Sequence, residues 1–290
     1  MTITKTQGTL IGCIAIVLWS CDTIINIFLS RLPIFQILTI AWSISFIIYA
    51  LVLSYRRQWV SVKQKPIIWL IGSLGICGAH TMLVAGLRVA PPEQIATMSA
   101  IWPIMVVLLA KELFYGQRIR WLSVFGVILG FIGVCMVITE GQFFSGFKFA
   151  YLPGYLFALL SSILWSIYTL MTRRFYNITS LMMGIYLGVG AVIALGYHLM
   201  TEQFMVPTAM EGLLLALKGG VTLAFSYFCW DFAIKRGHFT LLNSLAYFNP
   251  ILSICLLILF GISVAAFPLF VGTFLVVIGS MLCGLPKSTR

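Results

Sequence analysis

Three ionisable side chains of this 290-residue chain lie inside long apolar stretches. Because a charged group inside a membrane costs free energy, such residues suggest a functional role. Asp22 could accept a substrate amine or bind a coupling proton, or it could pair with a nearby base such as Arg88. Asp231 precedes Lys235 by four residues, so an ion pair across one helical turn also accounts for it. His80 could titrate near neutral pH, or it could serve only in packing.

Aromatic and amide side chains recur at helical spacing beside these ionisable groups. A face that mixes indole, phenol, amide and imidazole groups favours a cavity that stacks on planar groups and hydrogen-bonds polar ones. Trp59, Trp69 and Trp121 lie near the ends of apolar stretches and are typical of an interfacial belt instead. The predicted substrate-binding residues are Trp19, Asp22, His80, Met98, Trp102, Trp165, Tyr168, Tyr227, Trp230, Asn243, Tyr247 and Asn249.

Two prolines occupy the middle of apolar stretches at matching places in the chain. Pro103 and Pro250 each remove a backbone donor and free a carbonyl group inside a helix. Lipid tolerates such a group only where protein or a wet cavity satisfies it. We therefore predict that both prolines are hinges beside a binding site, the alternative being passive kinks.

The elements that must position these residues are membrane helices. The chain is 61% hydrophobic and only 9% charged, whereas soluble domains carry about 25% charged residues. Its apolar blocks are roughly 20 residues long, enough to cross a bilayer, which excludes an ordinary soluble enzyme. The sequence contains no Walker-type loop and no H-E-x-x-H motif, and its seven cysteines form no C-x-x-C pair, so we expect neither cofactor nor metal.

We predict an all-α polytopic membrane protein with ten transmembrane helices and expect a monomer in the bilayer. The formal charge of +11 fits the excess of basic residues in cytoplasmic loops better than it fits a nucleic-acid partner. Only four of the 18 basic residues, Arg31, Arg88, Lys148 and Lys218, fall on the side opposite to the termini, which predicts that both termini are cytoplasmic. The lack of a cleavable signal fits a bacterial inner (plasma) membrane. The predicted spans are 8–29, 34–54, 66–87, 94–110, 121–139, 152–172, 178–200, 212–234, 239–260 and 264–285.

The second half of the chain repeats features of the first at an offset of 146 or 147 residues. We predict two five-helix units, 1–145 and 150–290. Because five is odd, the second unit enters the membrane from the other side, and inverted repeats around a midplane site are typical of secondary transporters. The matching features are Gly8 and Gly154, the string LWS at 18–20 and 164–166, Pro103 and Pro250, and Gly133 and Gly279.

These features resemble the drug/metabolite transporter superfamily, with two EamA-type repeats covering nearly all of the chain. The strings that are similar to its aromatic amino-acid exporter branch are TLIG at 9–12, AIVLWS at 15–20, GLRVAPP at 86–92, IWP at 101–103 and YFNP at 247–250. The resemblance implies two inverted five-helix halves without an ATPase. It also implies a central cavity that includes His80, Trp102, Tyr227 and Tyr247, and export of aromatic and other neutral amino acids.

The leading hypothesis is therefore a secondary transporter or facilitator that moves a small molecule, an amino acid, outward by alternating access. A second hypothesis keeps the fold and changes the cargo to another metabolite, such as S-adenosylmethionine, or to cationic drugs, which would suit the carboxylate of Asp22. A membrane-embedded enzyme, a lipid-handling protein or a passive channel is a third, and no catalytic arrangement of residues supports an enzyme.

Overall fold

The computed structural model describes residues 4–110, 121–142, 148–246 and 248–284, and all regular structure within these ranges is helical. Seven helical spans in this part of the chain are long and apolar enough to cross a membrane. Two shorter apolar helices, Val124–Ile138 and Phe267–Gly279, accompany them in two of the other predicted spans. The chain is thus a polytopic, all-helical membrane protein.

The α-helices follow the apolar blocks of the sequence. Two of them, α1 and α10, begin with a capping box, in which Thr4 pairs with Gln7 and Thr208 with Glu211. Proline occupies the first turn of α3, α5 and α8, where its missing N–H costs little. The helices are α1 (Lys5–Phe28), α2 (Ile34–Tyr55), α3 (Pro66–Ser73), α4 (Ala79–Val89), α5 (Pro92–Ser99), α6 (Trp102–Ala110), α7 (Trp121–Ile138), α8 (Leu152–Arg174), α9 (Met182–Thr201), α10 (Ala209–Leu217), α11 (Ser226–Arg236), α12 (Phe239–Ala246), α13 (Phe248–Leu259) and α14 (Phe267–Gly284).

Two spans contain a π-helical segment at corresponding places. Leu74–Gly78 joins α3 to α4, and Lys218–Phe225 joins α10 to α11, so that the spans 66–89 and 209–236 are continuous. A π segment widens the helix and is frequent at functional sites. His80 follows the first segment closely and Lys218 opens the second, so both segments influence where the two side chains point.

The predicted fourth span, 94–110, is divided into α5 and α6 instead of forming one helix kinked at its proline. The break falls at Ala100 and Ile101, and Pro103 is the second residue of α6. A proline ring inside a helix clashes with the carbonyl group four residues earlier, here that of Ser99, so the chain leaves the helix before the proline is reached. The predicted ninth span is helical on both sides of Tyr247, and Pro250 is the third residue of α13.

Helices from the two halves of the sequence pack against each other reciprocally. α1 contacts α11 and α12 of the second half, and α8 contacts α4 and α5 of the first. α2 packs along α9, and α7 packs along α14. The largest buried apolar cluster lies between α2, α9 and the two π segments and includes Trp42, Ile76, Met182 and Leu223. Because of these contacts, helices from both halves of the sequence surround the middle of the molecule.

Hydrogen bonds outside the apolar core connect the loop between α1 and α2 to the start of α10. Arg31 Nε donates a hydrogen bond to Glu211 Oε1 at 2.8 Å, and the guanidinium also donates to the carbonyl oxygen of Val206. The hydrogen bond to the Glu211 carboxylate raises the pKa of Arg31. Glu202 accepts hydrogen bonds from the backbone nitrogens of Phe35 and Gln36, at 3.0 and 3.1 Å, at the start of α2. These contacts fix one end of α2 to the segment between α9 and α10.

Glycines let α7 and α14 approach at their backbones, and this contact gives a testable prediction. A Cβ atom on Gly279 would overlap the carbonyl oxygen of Gly126, whereas a Cβ atom on Gly196 of α9 would have nothing within 4 Å. Close helix contact in lipid relies on such small residues. We expect Gly279→Leu to lower the melting temperature of the detergent-solubilised protein by roughly 5 °C or more. Gly196→Leu, the matched control, should leave the melting temperature unchanged, and equal shifts for the two variants would contradict this packing.

Candidate functional site

A cavity of about 130 Å³ lies where α1, α4, α8 and α11 converge. Residues of α5, α6, α12, α13 and the second π segment complete its wall. The structure therefore brings together residues from both halves of the chain. The predicted binding residues that line the cavity are Trp19, Asp22, His80, Trp102, Trp165, Tyr227 and Asn249.

Aromatic rings form one wall of this cavity and pack edge to face. The Trp19 ring lies 5.4 Å from that of Trp165 at 89° and 5.9 Å from that of Tyr227 at 74°. Trp102 lies 6.4 Å from Trp165 at 86°. Trp230 is buried behind them, 5.0 Å from Trp19 and 5.8 Å from Trp102. Edge-to-face pairs of this kind are favourable, and they leave ring faces and edges that suit a planar apolar ligand.

A compact charge cluster around Asp22 forms another wall. Asp22 Oδ1 accepts hydrogen bonds from Lys218 Nζ at 2.6 Å and from Thr222 Oγ1 at 3.1 Å. Asp22 Oδ2 accepts one from Asn26 Nδ2 at 2.8 Å. His80 Nε2 lies 3.2 Å from Lys218 Nζ and 3.3 Å from Asp22 Oδ2. With one cation and one anion, the cluster has no net charge when His80 is neutral.

Lys218 is a site residue that was not among the predicted binding residues. It is one of the four basic residues assigned to the side opposite to the termini, and its side chain is completely buried within the span 209–236. It is this lysine that pairs with Asp22. Arg88 instead donates hydrogen bonds to the backbone carbonyl groups of Ser30 and Leu32. The usable signal was an acid inside one span and a base well inside another, because a buried charge requires a partner.

Tyr168 and Asp231 belong to a second, smaller polar group away from the cavity. Asp231 Oδ2 accepts a hydrogen bond from Lys235 Nζ at 2.5 Å, which is the pairing that their spacing suggested. The hydroxyl of Tyr168 donates to Asp231 Oδ1 at 3.1 Å. These three residues line a narrow cleft of about 30 Å³ together with Thr172 and Tyr186.

Three more of the predicted binding residues lie within the described ranges but do not line the cavity. Trp230 lies behind the aromatic wall, and Met98 packs against a separate apolar cluster between α5, α7 and α8. Asn243 donates a hydrogen bond to the carbonyl oxygen of Phe239 within α12, at 2.8 Å. Tyr247 lies outside the described residues. Helical spacing identified polar and aromatic faces, but it did not show which of them meet.

Serine hydroxyl groups of the cavity wall were also missed by the sequence analysis. Ser99 Oγ donates to the carbonyl oxygen of Ala96 at 3.0 Å, and Ser161 Oγ donates to that of Ala79 at 2.8 Å. Ser162 Oγ donates to backbone carbonyl groups as well. A hydroxyl that has given away its hydrogen keeps acceptor lone pairs. The α5 and α8 side of the cavity can therefore accept hydrogen bonds from a ligand.

The cavity thus suits a small solute with a planar apolar part and polar groups. In comparison with known protein families, the chain matches the EamA-like transporter family twice, over residues 6–139 and 152–285. It belongs to the EamA-like transporter family. The resemblance to the drug/metabolite transporter superfamily is confirmed, and as a member of a family of transporters the chain is not an enzyme.

Several curated proteins resemble this EamA-like transporter over nearly their whole length. A protein of Ancylobacter novellus named "Aromatic amino acid exporter YddG" is 30% identical over 97% of this chain and 98% of its own. Proteins of the same name from Salmonella typhimurium and Escherichia coli are 28% and 27% identical and are covered over 100% and 98% of their lengths. The apolar helices and these bacterial relatives indicate a multi-pass protein of the bacterial inner membrane.

A solved structure resembles this EamA-like transporter in its fold. It is described only as the crystal structure of a protein, it is 26% identical, and it superposes with a TM-score of 0.78. The match covers 97% of this chain and 98% of the other. The arrangement of helices described above therefore recurs in an experimentally determined structure.

Proposed function

We propose that this chain is a secondary transporter that exports aromatic and other neutral amino acids by alternating access. The observation that carries the proposal is a cavity lined by three indole rings and one phenol ring next to a charge cluster with no net charge. The names of the curated relatives, which call them aromatic amino acid exporters, support the same substrate class. We expect Tyr247 to contribute to this site as well.

A neutral amino acid fits the groups on the cavity wall. Its planar side chain would pack against Trp102 and Trp165, and its ammonium group would donate to hydroxyl oxygens such as that of Ser162. A cationic cargo, such as S-adenosylmethionine or a cationic drug, is less well served. The carboxylate of Asp22, which motivated that alternative, is already paired with Lys218 and accepts further hydrogen bonds from Thr222 and from an amide.

The architecture we propose is ten spans in two inverted five-helix repeats, 1–145 and 150–290, around the cavity. The two family matches, the reciprocal packing of helices and the paired π segments support it. The seven apolar spans, the two shorter helices and the divided α5–α6 segment add up to ten. Both termini would be cytoplasmic, and the chain would act as a monomer.

Alternating access then has a physical basis in two polar groups on either side of the aromatic wall. Asp22 and Tyr168 are 146 residues apart, so they occupy matching positions of the two repeats. Asp22 pairs with Lys218, whereas Tyr168 bonds to Asp231 beside Lys235. In the proposed topology the first group lies towards the outside and the second towards the cytoplasm. Pro103 and Pro250, near the middle of their segments, would be the hinges about which the repeats rock.

The proposal is tested by counterflow in proteoliposomes loaded with unlabelled solute. We expect labelled tryptophan to exchange against internal tryptophan, phenylalanine and tyrosine at least about tenfold faster than against lysine, arginine or S-adenosylmethionine. Faster exchange against the cationic solutes would support the alternative cargo. Entry of label at the same rate with and without internal solute would indicate a channel and would refute alternating access.

A further inference from the structure

The buried ammonium group of Lys218 has two nearby acceptors. Its Nζ lies 2.6 Å from Asp22 Oδ1 and 3.2 Å from His80 Nε2, and its side chain has no exposed surface. An ammonium group only donates hydrogen bonds, and a buried charge needs every partner within reach. Lys218 therefore donates to Asp22 and to His80 Nε2.

This donation determines which nitrogen of His80 carries the hydrogen. A ring nitrogen that accepts a hydrogen bond holds a lone pair, so the hydrogen of a neutral imidazole must lie on Nδ1. The opposite tautomer would point an N–H group of the ring towards the ammonium of Lys218. Its alternative acceptor, Asp22 Oδ2, is 3.3 Å away and already accepts from Asn26 at 2.8 Å. Lys218 thus sets the tautomer of His80.

Two donors beside the cavity are then left without acceptors. His80 Nδ1 and Trp19 Nε1 are buried, and neither has a hydrogen-bond partner among the residues that the structure describes. Both side chains line the cavity, and His80 is only 4% exposed. Buried polar groups are nearly always paired, so an unpaired group next to a cavity calls for an explanation, such as a ligand.

We propose that Lys218 holds His80 as the Nδ1–H tautomer and that His80 and Trp19 form the subsite for the α-carboxylate of the transported amino acid. This inference rests on the proposed function. A carboxylate only accepts hydrogen bonds, and its two oxygens match two donors. Hydroxyl oxygens on the α5 and α8 side take the ammonium group. Lys218 is a positioning residue that acts through His80.

The subsite would make the transporter selective for free amino acids over amines. A site built to hydrogen-bond a substrate group rejects analogues that lack the group, because its own polar atoms then stay unpaired. Tryptophan and tryptamine share the indole ring and the amine and differ in the carboxylate. They are therefore the pair of ligands that isolates this subsite.

The test is nitrogen-15 NMR of the full chain in nanodiscs with labelled histidine. The spectrum of His80 is assigned by its absence in His80→Gln, with His198 and His238 as internal references. We expect His80 to be the Nδ1–H tautomer, and we expect tryptophan, but not tryptamine, to shift its Nδ1 resonance. Isothermal titration with both ligands on the same samples shows whether each one binds.

A neutral replacement of the charge pair tests the role of Lys218. In Asp22→Asn/Lys218→Met the buried charges are removed together, so folding is preserved better than in either single variant. We expect a loss of the tautomer preference and about tenfold weaker binding of tryptophan, with tryptamine binding unchanged. Asp231→Asn/Lys235→Met removes the other intramembrane pair and should leave His80 in its Nδ1–H form.

The possible outcomes separate this inference from the proposed function. An Nε2–H tautomer in the unaltered protein overturns the role of Lys218, whatever the ligand. A tautomer as expected, with equal shifts for tryptophan and tryptamine, overturns the carboxylate subsite. No binding of any aromatic amino acid, with the Nδ1–H tautomer present, counts against the proposed function and not against the assignment of the hydrogen.

Discussion

Replacing Lys218 with methionine is expected to lower the free energy of unfolding by about 3–5 kcal/mol, because it leaves the carboxylate of Asp22 buried without its counter-ion. Methionine is similar in length to lysine and fills the same space, so the loss does not come from a new cavity. Adding Asp22→Asn should recover most of the stability, since no uncompensated charge then remains. Thermal or denaturant unfolding is measured in one detergent for the unaltered protein, Lys218→Met, Asp22→Asn and the double variant. The four free energies give the coupling energy between the two side chains directly.

An exposed ion pair of the same chain is the matched control. Lys148 Nζ lies 3.0 Å from Glu140 Oε1, and about half or more of each side chain is exposed, at 54% and 61%. Lys148→Met should therefore leave the free energy of unfolding almost unchanged. If Lys218→Met is no more destabilising than Lys148→Met, or if the double variant is as unstable as Lys218→Met alone, the two charges are not coupled as described.

Replacing Trp102 with alanine is expected to reduce tryptophan counterflow at least about tenfold. The ring lies 6.4 Å from Trp165 and 5.8 Å from Trp230, at the junction between the cavity and the buried core. Its removal takes away both an aromatic contact and a large apolar surface from the bound substrate. The backbone carbonyl group of Trp102, which accepts a hydrogen bond from Ser166 at 2.7 Å, is kept, so α6 should stay joined to α8.

A tryptophan outside the cavity shows whether the loss is specific. Trp59 lies in a short helical turn between α2 and α3 and donates to Ser54 Oγ at 3.1 Å. Trp59→Ala should transport tryptophan at the rate of the unaltered protein. Expression, detergent stability and the rate of counterflow should be measured for both variants, and a folded Trp102→Ala that transports normally would exclude this ring from the binding site.

The aromatic part of the cavity was predictable because it depends on local periodicity. Trp19, Trp165 and Tyr227 each recur with polar residues on one helical face, and a face of that kind suits neither lipid nor dry packing. Trp230 shares a helix with Tyr227 but lies behind the cavity. Whether a residue of such a helix faces the cavity depends on how the helix is rotated about its own axis. Contacts with other helices determine that rotation.

The charge cluster could not be predicted from one span at a time. Asp22 and Lys218 are 196 residues apart in sequence, and the pattern of one span does not show which face of another span it meets. The π segments were equally hidden, because apolar composition does not distinguish them from α-helix. One extra residue in a helical turn rotates all following side chains by about 100° about the helix axis. The residues that share a face therefore differ from those predicted for an ideal α-helix.

The glycines at the start of α1 and α8 have a consequence for motion. A Cβ atom on Gly8 would lie 3.0 Å from the backbone nitrogen of Gly237, and one on Gly154 would lie 2.6 Å from the Cβ of Ala90. These two crossings are counterparts in the repeats, so in the proposed topology they lie at opposite membrane surfaces. Helices that meet through glycine and other small residues have no large interlocking side chains at the contact, so they can shift against each other with little steric resistance. Each membrane surface thus has its own helix contact about which the repeats can pivot. The helices at one surface can separate while those at the other surface stay in contact.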